Sequence, residues 1–153
     1  MIVIMVTDPF RELINDHSLS NAAEAALLLS GVDDSPSLSI RITDDKEIQD
    51  LNHRYRGINK KTDVLAFGED FEDPDLESRY LGDVVISYPR AEEQARIRGH
   101  HIIEEIQLLI IHGVLHLLGF DHGDETTKAR MWSLQNQILD HLGLGILVED
   151  QQD

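Results

Sequence analysis

The chain has 153 residues, of which 41% are hydrophobic and 27% charged, as is typical of one soluble globular domain over residues 1–153. The absence of cysteine excludes disulfides, thiolate metal ligands and a cysteine nucleophile, so any metal must be held by histidine or carboxylate groups. The formal net charge of -16 argues against a broad basic surface that binds nucleic acid without specificity.

The N-terminal sequence lacks the pattern of a secretory signal. MIVIMVTDPF is apolar over only its first six residues, which is shorter than the apolar region of a signal peptide. No later segment is long and apolar enough to cross a bilayer. We therefore expect a cytoplasmic protein that does not bind membranes.

Strands and helices alternate in the first half of the predicted structure. In chain order, the pattern indicates a strand at 1–6, a helix at 21–30, a strand at 37–43, a helix capped by Thr43 or Asp44 that runs to about Tyr55, and short strands at 64–67 and 83–87. Gly31 and Gly57 follow the two helices, where glycine commonly ends a helix. The acidic segment between the two short strands is predicted to be a solvated hairpin connection.

Helices dominate the second half of the chain. They are expected at 89–98, 101–118 and 124–142, before a disordered tail at 148–153. The segment 101–118 is apolar on nearly all sides, which is the pattern of a helix at the centre of a domain. Glu104 and Glu105 should complement its dipole, and His100 should cap or support it. The predicted fold class is α+β, with a small mixed β-sheet and helices packed around this buried helix.

The central helix carries two of three histidines that are spaced as metal ligands. His112 and His116 are four residues apart, so they lie on one face of the helix and can reach one ion. Gly119 can end the helix in the left-handed conformation and turn the chain so that His122 approaches the same ion. Three imidazoles leave a tetrahedral ion one open position, which is the arrangement of a catalytic zinc.

The spacing of this segment also matches the signature of metzincin proteases, H-E-x-x-H-x-x-G-x-x-H. Gly113 stands where those enzymes have glutamate, their general base. The metal ligands are retained, but the standard mechanism of peptide hydrolysis loses its proton acceptor. Asp121 is the nearest carboxylate in sequence, and it is a base, a partner of an imidazole or a turn-forming residue.

A basic segment interrupts the acidic chain at residues 53–61 (HRYRGINKK), which contain no acid. Its cations are candidates for contact with the phosphates of RNA, and they are Arg54, Arg56, Lys60 and Lys61. The alternative is an ordinary solvated helix end and loop.

Three segments together resemble the YbeY family of bacterial endoribonucleases. They occur in the family's order, at 51–57 with 61–67 (LNHRYRG and KTDVLAF), 81–87 (LGDVVIS) and 112–122 (HGVLHLLGFDH). The resemblance covers most of residues 40–140 and does not extend to the first 35 residues. The departures are small: the family more often has proline at Lys61, serine at Ala66 and proline at Gly68.

The resemblance implies one zinc ion per chain on His112, His116 and His122, and a catalytic role for Arg56. It also implies cleavage of single-stranded RNA, a role in forming the 3′ end of small-subunit ribosomal RNA, and a part in ribosome quality control. The expected partners are therefore ribosomal RNA and the small ribosomal subunit, and not DNA. The planar guanidinium of Arg56 suits phosphate oxygens, and phosphoryl transfer depends mostly on positioning and charge.

Two other functions are compatible with the same residues. A metzincin-like metallopeptidase is favoured by the spacing of the histidines and disfavoured by Gly113. A non-enzymatic ribosome-assembly factor, stabilised by zinc, would use the histidines only as structural ligands. Release of peptides from casein would indicate the first, and a zinc site closed to added anions would indicate the second.

Overall fold

Four strands form one mixed sheet within residues 1–72, 79–120 and 123–146, the part of the chain that this computed structural model describes. The strands are β1 (Ile2–Val6), β2 (Ser37–Thr43), β3 (Val64–Glu72) and β4 (Arg79–Ser87), in the order β1-β2-β4-β3. Neighbours among β1, β2 and β4 run parallel, whereas β3 pairs antiparallel with β4 at one edge. The sheet is therefore mixed, as predicted.

Five α-helices and one short 3-10 helix, Phe10–Leu13, complete the described part of the chain. The α-helices are α1 (Asp16–Leu29), α2 (Asp45–Arg56), α3 (Tyr88–Arg98), α4 (Ile102–Leu117) and α5 (Glu125–His141). The bounds of α2 agree with the prediction because both ends carry strong signals: the Asp44 side chain accepts the Glu47 N–H at 2.8 Å, and Gly57 has a φ of 69°. Helix α1 begins earlier than predicted, because Asn15 accepts the Ser18 N–H and caps the polar stretch before the alanines.

Helix α4 is the buried centre of the fold, as predicted. It packs against β3 and β4 on one side and against α1, α3 and α5 on the others. Its fully buried apolar side chains are Ile106, Ile110, Ile111, Val114 and Leu115. Because neighbours surround the helix, its sequence is apolar on nearly all sides. The α+β class with a small mixed sheet around a buried central helix is thus confirmed.

His101, the residue after His100, caps α4. Its Nδ1 accepts the Ile103 N–H at 3.1 Å, and the Glu104 carboxylate accepts the His101 N–H at 3.3 Å, which together form a capping box. His100 supports the helix in another way, since its Nε2 lies 2.5 Å from a carboxylate oxygen of Glu105.

Glu105 lies in the first turn of α4, where its charge complements the helix dipole as predicted, and its side chain is fully buried. Arg98, at the end of α3, donates to both of its oxygens at 3.1 and 3.3 Å, and His100 contacts it from the loop between the helices. A buried carboxylate requires such partners. The pairing joins the end of α3 to the start of α4.

The two faces of the sheet carry different helices. Val84 and Ile86 of β4 belong to the main core beneath α4, whereas Val85 packs with Ile48 and Leu65 in a small second cluster beneath α2. Alternate residues of a strand point to opposite faces. Helices α2 and α4 therefore lie on opposite sides of the sheet.

Both strands of the hairpin are longer than predicted and extend into the acidic segment: β3 continues to Glu72, and β4 begins at Arg79. Residues 73–78, the predicted tail at 148–153, and both Asp121 and His122 lie outside the described residues. Among the helices that are described, none has the length and apolarity that crossing a membrane requires.

Candidate metal centre and basic surface

His112 and His116 face each other on the last two turns of α4. Their Nε2 atoms are 3.1 Å apart, and their rings meet at an angle of 68° with centroids 4.6 Å apart. Both side chains are half-buried. The spacing of four residues therefore brings two imidazole nitrogens to one point, as expected from the helical repeat.

This distance fits two ligands of one metal ion. Two nitrogens at about 2.0–2.1 Å from a tetrahedral zinc are about 3.3 Å apart, so the pair His112 and His116 needs only a small adjustment. The chain turns directly after them: Gly119 has a φ of 98°, and the Phe120 N–H donates to the Leu115 carbonyl at 3.0 Å. This left-handed turn is the one that the sequence predicts.

The third predicted ligand, His122, and the nearby Asp121 lie outside the described residues. Within residues 1–72, 79–120 and 123–146, histidine and acidic side chains nowhere gather in a group of three or more that could hold a metal. Zinc on His112, His116 and His122 therefore stays a prediction, to which the structure adds the convergence of the first two side chains.

Helix α5 contributes a residue that the sequence did not single out. Gln135 is 1% exposed, and its Oε1 lies 3.2 Å from His112 Nδ1. The ring of Trp132 lies on the same side, with its centroid 6.2 Å from that of His112. A polar residue on the inner face of an otherwise apolar stripe is the only signal in the sequence that could have indicated Gln135.

Gly113 faces the sheet and not the histidines. A Cβ atom built on it would lie 2.7 Å from Val84 Cγ1 and 3.0 Å from Cγ2. Carbon atoms in contact are normally about 3.5–4.0 Å apart, so the helix and β4 approach too closely for any side chain. The glutamate of the protease signature has no room at this position of the fold.

The basic segment lies at the end of α2, on the other side of the sheet. Its four cations are all exposed, and they are Arg54, Arg56, Lys60 and Lys61. Arg54 lies 6.0 Å from the centroid of the Tyr55 ring, and Lys61 lies 4.0 Å from an Asp45 oxygen. Neither a hydrogen bond nor an ion pair joins Arg56 to any residue that the structure describes, so its guanidinium is available to a ligand.

The loop that follows Arg56 is held by side chains of α2. Asn52 is 4% exposed and donates from Nδ2 to the Lys60 carbonyl at 3.0 Å, and Gln49 donates to the Asn59 side chain at 3.0 Å. These bonds fix the path of the backbone and leave the lysine side chains in solvent.

The ends of α2 and α4 flank the same part of the edge strand β3. Tyr55, in the last turn of α2, meets the Phe67 ring edge-on with centroids 5.3 Å apart. On the other face of the strand, a Cβ built on Gly68 would lie 4.0 Å from Leu117 Cδ2, in the last turn of α4. Arg56 and His116 therefore belong to helix ends that are separated by one strand at the edge of the sheet.

An open groove of about 1030 Å³ runs between α2 and the uncovered part of the sheet. Its charged lining is mixed, and comprises Arg41, Asp44, Lys46, Glu47, Asp50, Arg54 and Asp83. Arg41 is neutralised by Glu47, whose hydrogen bond raises the pKa of the Arg41 guanidinium. Because four of these side chains are acidic and three are cationic, the groove lacks the positive charge that binding a phosphate backbone requires.

Comparison with known proteins covers nearly the whole chain. A family model described as Endoribonuclease YbeY matches residues 8–143. A protein of Dehalococcoides mccartyi named Endoribonuclease YbeY is 40% identical over 151 aligned positions, which cover 91% of this chain and 88% of the relative. One of the same name from Aquifex aeolicus is 48% identical over 125 positions, covering 78% and 79%.

The fold also has a solved counterpart. A solution structure of a Thermotoga maritima protein superposes with a TM-score of 0.62 at 24% identity, over 93% of this chain and 89% of the other. This likeness supports the fold, while the extent of the sequence matches decides the family. The chain belongs to the YbeY family of endoribonucleases.

Proposed function

We propose that this chain is a zinc-dependent endoribonuclease that cleaves single-stranded RNA and acts in maturation of the 3′ end of small-subunit ribosomal RNA and in ribosome quality control, in the cytoplasm. The endoribonuclease activity is supported by the family, whose relatives are named for it. The observation that carries the metal dependence is the 3.1 Å approach of the two Nε2 atoms of His112 and His116.

In this proposal, His112, His116 and His122 hold the zinc. Zinc in such a site supplies Lewis acidity toward a phosphoryl oxygen or a water molecule. The half-buried position of the first two histidines at the end of α4 excludes part of the solvent and strengthens electrostatic interactions there. The buried central helix fixes the backbone positions from which both imidazoles project.

Arg56 is the proposed catalytic cation. It is exposed, has no partner among the described residues, and lies at the helix end that flanks the same part of β3 as the end of α4. Its two-pronged guanidinium can bind the phosphate and stabilise the charge that develops during cleavage. Arg54, Lys60 and Lys61 would extend the contact along the RNA, and the small number of cations predicts a modest dependence on salt.

The metallopeptidase is the weaker alternative, since Gly113 packs against Val84 and leaves no space for the missing glutamate. An assembly factor without activity is not favoured by relatives that are named endoribonucleases.

The decisive experiment combines metal analysis of the purified protein with cleavage of a labelled single-stranded RNA, with and without chelator. We expect about one zinc per chain, and loss of both metal and cleavage in His112→Ala/His116→Ala. A fully zinc-loaded double variant, or cleavage that survives complete chelation, would refute the metal dependence.

Arg56→Ala tests the catalytic cation. We expect cleavage to fall by about a hundredfold or more, the scale of one lost transition-state contact, with zinc content and melting temperature unchanged. Arg56→Lys should recover only part of the rate, because an ammonium group cannot make the two-pronged contact. Arg96→Ala is the matched control, an exposed arginine in the last turn of α3. Equal rates for Arg56→Ala and Arg96→Ala would exclude the proposed role.

A further inference from the structure

Gln135 is a polar residue on the otherwise apolar inner face of α5. In this helix, all of which the structure describes, the buried side chains are Met131, Gln135, Ile138 and Leu139, and only the glutamine is polar. A buried amide without a hydrogen bond is destabilising, and an apolar residue of the same size would avoid that cost. The position of its oxygen, 3.2 Å from His112 Nδ1, indicates what the amide does.

The hydrogen bond determines which nitrogen of His112 carries the proton. The Oε1 atom of Gln135 can only accept, so His112 Nδ1 is the donor. In a neutral imidazole, the proton on Nδ1 leaves Nε2 with a free lone pair. That Nε2 is the atom that faces His116 Nε2 at 3.1 Å. The tautomer selected by Gln135 is therefore the one whose lone pair points to the proposed metal.

We propose that Gln135 is a positioning residue that holds His112 in the tautomer and ring orientation in which Nε2 binds the metal. This inference rests on the proposed metal centre. Metal-binding histidines commonly donate their other N–H to an oxygen, and loss of that oxygen weakens metal binding by about 10- to 100-fold. Helix α5 thus takes part in the centre without supplying a ligand.

The simpler explanation is that Gln135 only ties α5 to α4. The chain contains a matched example of that role in Gln107, a glutamine of α4 that is 9% exposed and donates to the Ser18 carbonyl of α1 at 3.0 Å. Gln107 joins two helices in the same core but bonds to backbone and not to a histidine. It is therefore the control for a purely structural glutamine.

The test compares Gln135→Met, Gln135→Glu and Gln107→Met. Methionine keeps the length of the side chain and removes the acceptor, whereas glutamate keeps the acceptor and adds charge. Zinc affinity is measured by competition with a chromophoric chelator, the visible spectrum of the cobalt-substituted protein reports the geometry of the centre, and thermal unfolding of the metal-free protein reports stability.

We expect Gln135→Met to weaken zinc binding by about 10- to 100-fold and to alter the cobalt spectrum. Gln135→Glu should bind zinc at least as tightly as the wild type, and it supplies the test if the methionine variant does not fold. Gln107→Met should lower the melting temperature of the metal-free protein and leave zinc affinity within about twofold of wild type.

The possible failures are distinct. Wild-type protein that binds no zinc would overturn the proposed metal centre together with this inference. If the wild type binds zinc, then unchanged affinity in Gln135→Met, or an equal loss of affinity in Gln107→Met, would overturn the positioning role alone. Weaker binding in Gln135→Glu than in wild type would also overturn it, because the acceptor is still present.

Discussion

Gly113→Ala is the smallest change that tests how closely α4 and the sheet are packed. The added methyl carbon would lie 2.7 Å from Val84 Cγ1 and 3.0 Å from Cγ2, so it overlaps the valine by about 1 Å relative to normal carbon contacts of about 3.5–4.0 Å. Val84 is fully buried in the core and β-branched, which leaves it little freedom to move aside.

Two opposing effects decide the magnitude. Alanine favours a helix interior over glycine by about 0.8–1.0 kcal/mol, whereas overpacking a core typically costs about 1–3 kcal/mol. With an overlap of this size the packing cost should exceed the gain, so we expect Gly113→Ala to lower the free energy of unfolding by up to about 2 kcal/mol. In a domain of this size that corresponds to a fall of up to about 8 °C in melting temperature.

The assay is urea unfolding of Gly113→Ala, Val84→Ala and the double variant, all without metal. Val84→Ala removes both clashing methyl groups, so Gly113→Ala should be neutral or stabilising by up to about 1 kcal/mol in that background. The effect of Gly113→Ala on the free energy of unfolding should therefore change from destabilising, with Val at position 84, to neutral or stabilising, with Ala there. The reasoning is refuted if Gly113→Ala stabilises the wild type, or if it costs as much with Ala at position 84 as with Val.

Three further predictions concern stability. Glu105→Ala should cost about 1.5–3 kcal/mol in urea unfolding, because it removes the buried carboxylate that accepts hydrogen bonds from Arg98, and a loss under 1 kcal/mol would contradict this contribution. Complete chelation should lower the melting temperature by about 5–10 °C relative to protein at a free zinc level near 100 Kd, and an unchanged curve would argue against a buried centre. The hydrogen bond from the Thr127 N–H lowers the pKa of Asp124 in the folded protein. The stabilisation that this cap provides is therefore present above the pKa of Asp124 in the unfolded chain, and it is lost as the pH falls through the pKa of Asp124 in the folded protein. Asp124→Asn, which caps without ionising, should flatten this part of the acid unfolding curve, and an identical curve would exclude the effect.

Local signals account for the parts of the fold that the sequence predicted. Helix α2 has Asp44 at one end and Gly57 at the other, and the structure uses both as predicted. The start of α1 was missed because Asn15 is followed by a polar stretch without clear periodicity, and only packing of the whole helix reveals its first turn. The strands of the hairpin were predicted too short because neither outer half shows the usual alternation: residues 68–72 of β3 are mostly acidic, and residues 79–82 of β4 include a glycine.

The side-chain partners of the candidate site could not be predicted from the sequence, for a different reason. Gln135 lies 23 residues from His112, and nothing in either segment indicates that α5 crosses α4 at that point. Glu105 lies in the first turn of α4, as predicted, but its burial depends on Arg98 at the end of another helix, which the sequence does not indicate. Spacing within one helix predicts which histidines converge, whereas tertiary packing decides what surrounds them.

The position of β3 leads to a last expectation under the proposed function. The strand is the edge of the sheet, and the ends of α2 and α4 flank it on opposite faces at Phe67 and Gly68. RNA that contacts both Arg56 and the histidines must pass around this edge. A single strand can bend and splay its bases in this way, whereas a duplex presents a rigid helical shape.

Arg56 should therefore contribute more to cleavage of single strands than of duplexes. We expect the ratio of kcat/KM for a single-stranded RNA to that for the same sequence in a duplex to be large for the wild type and at least about tenfold smaller for Arg56→Ala. Arg96→Ala, on α3, should keep the wild-type ratio. If Arg56→Ala lowers both rates by the same factor, a duplex reaches Arg56 as readily as a single strand does, and the path around β3 is wrong.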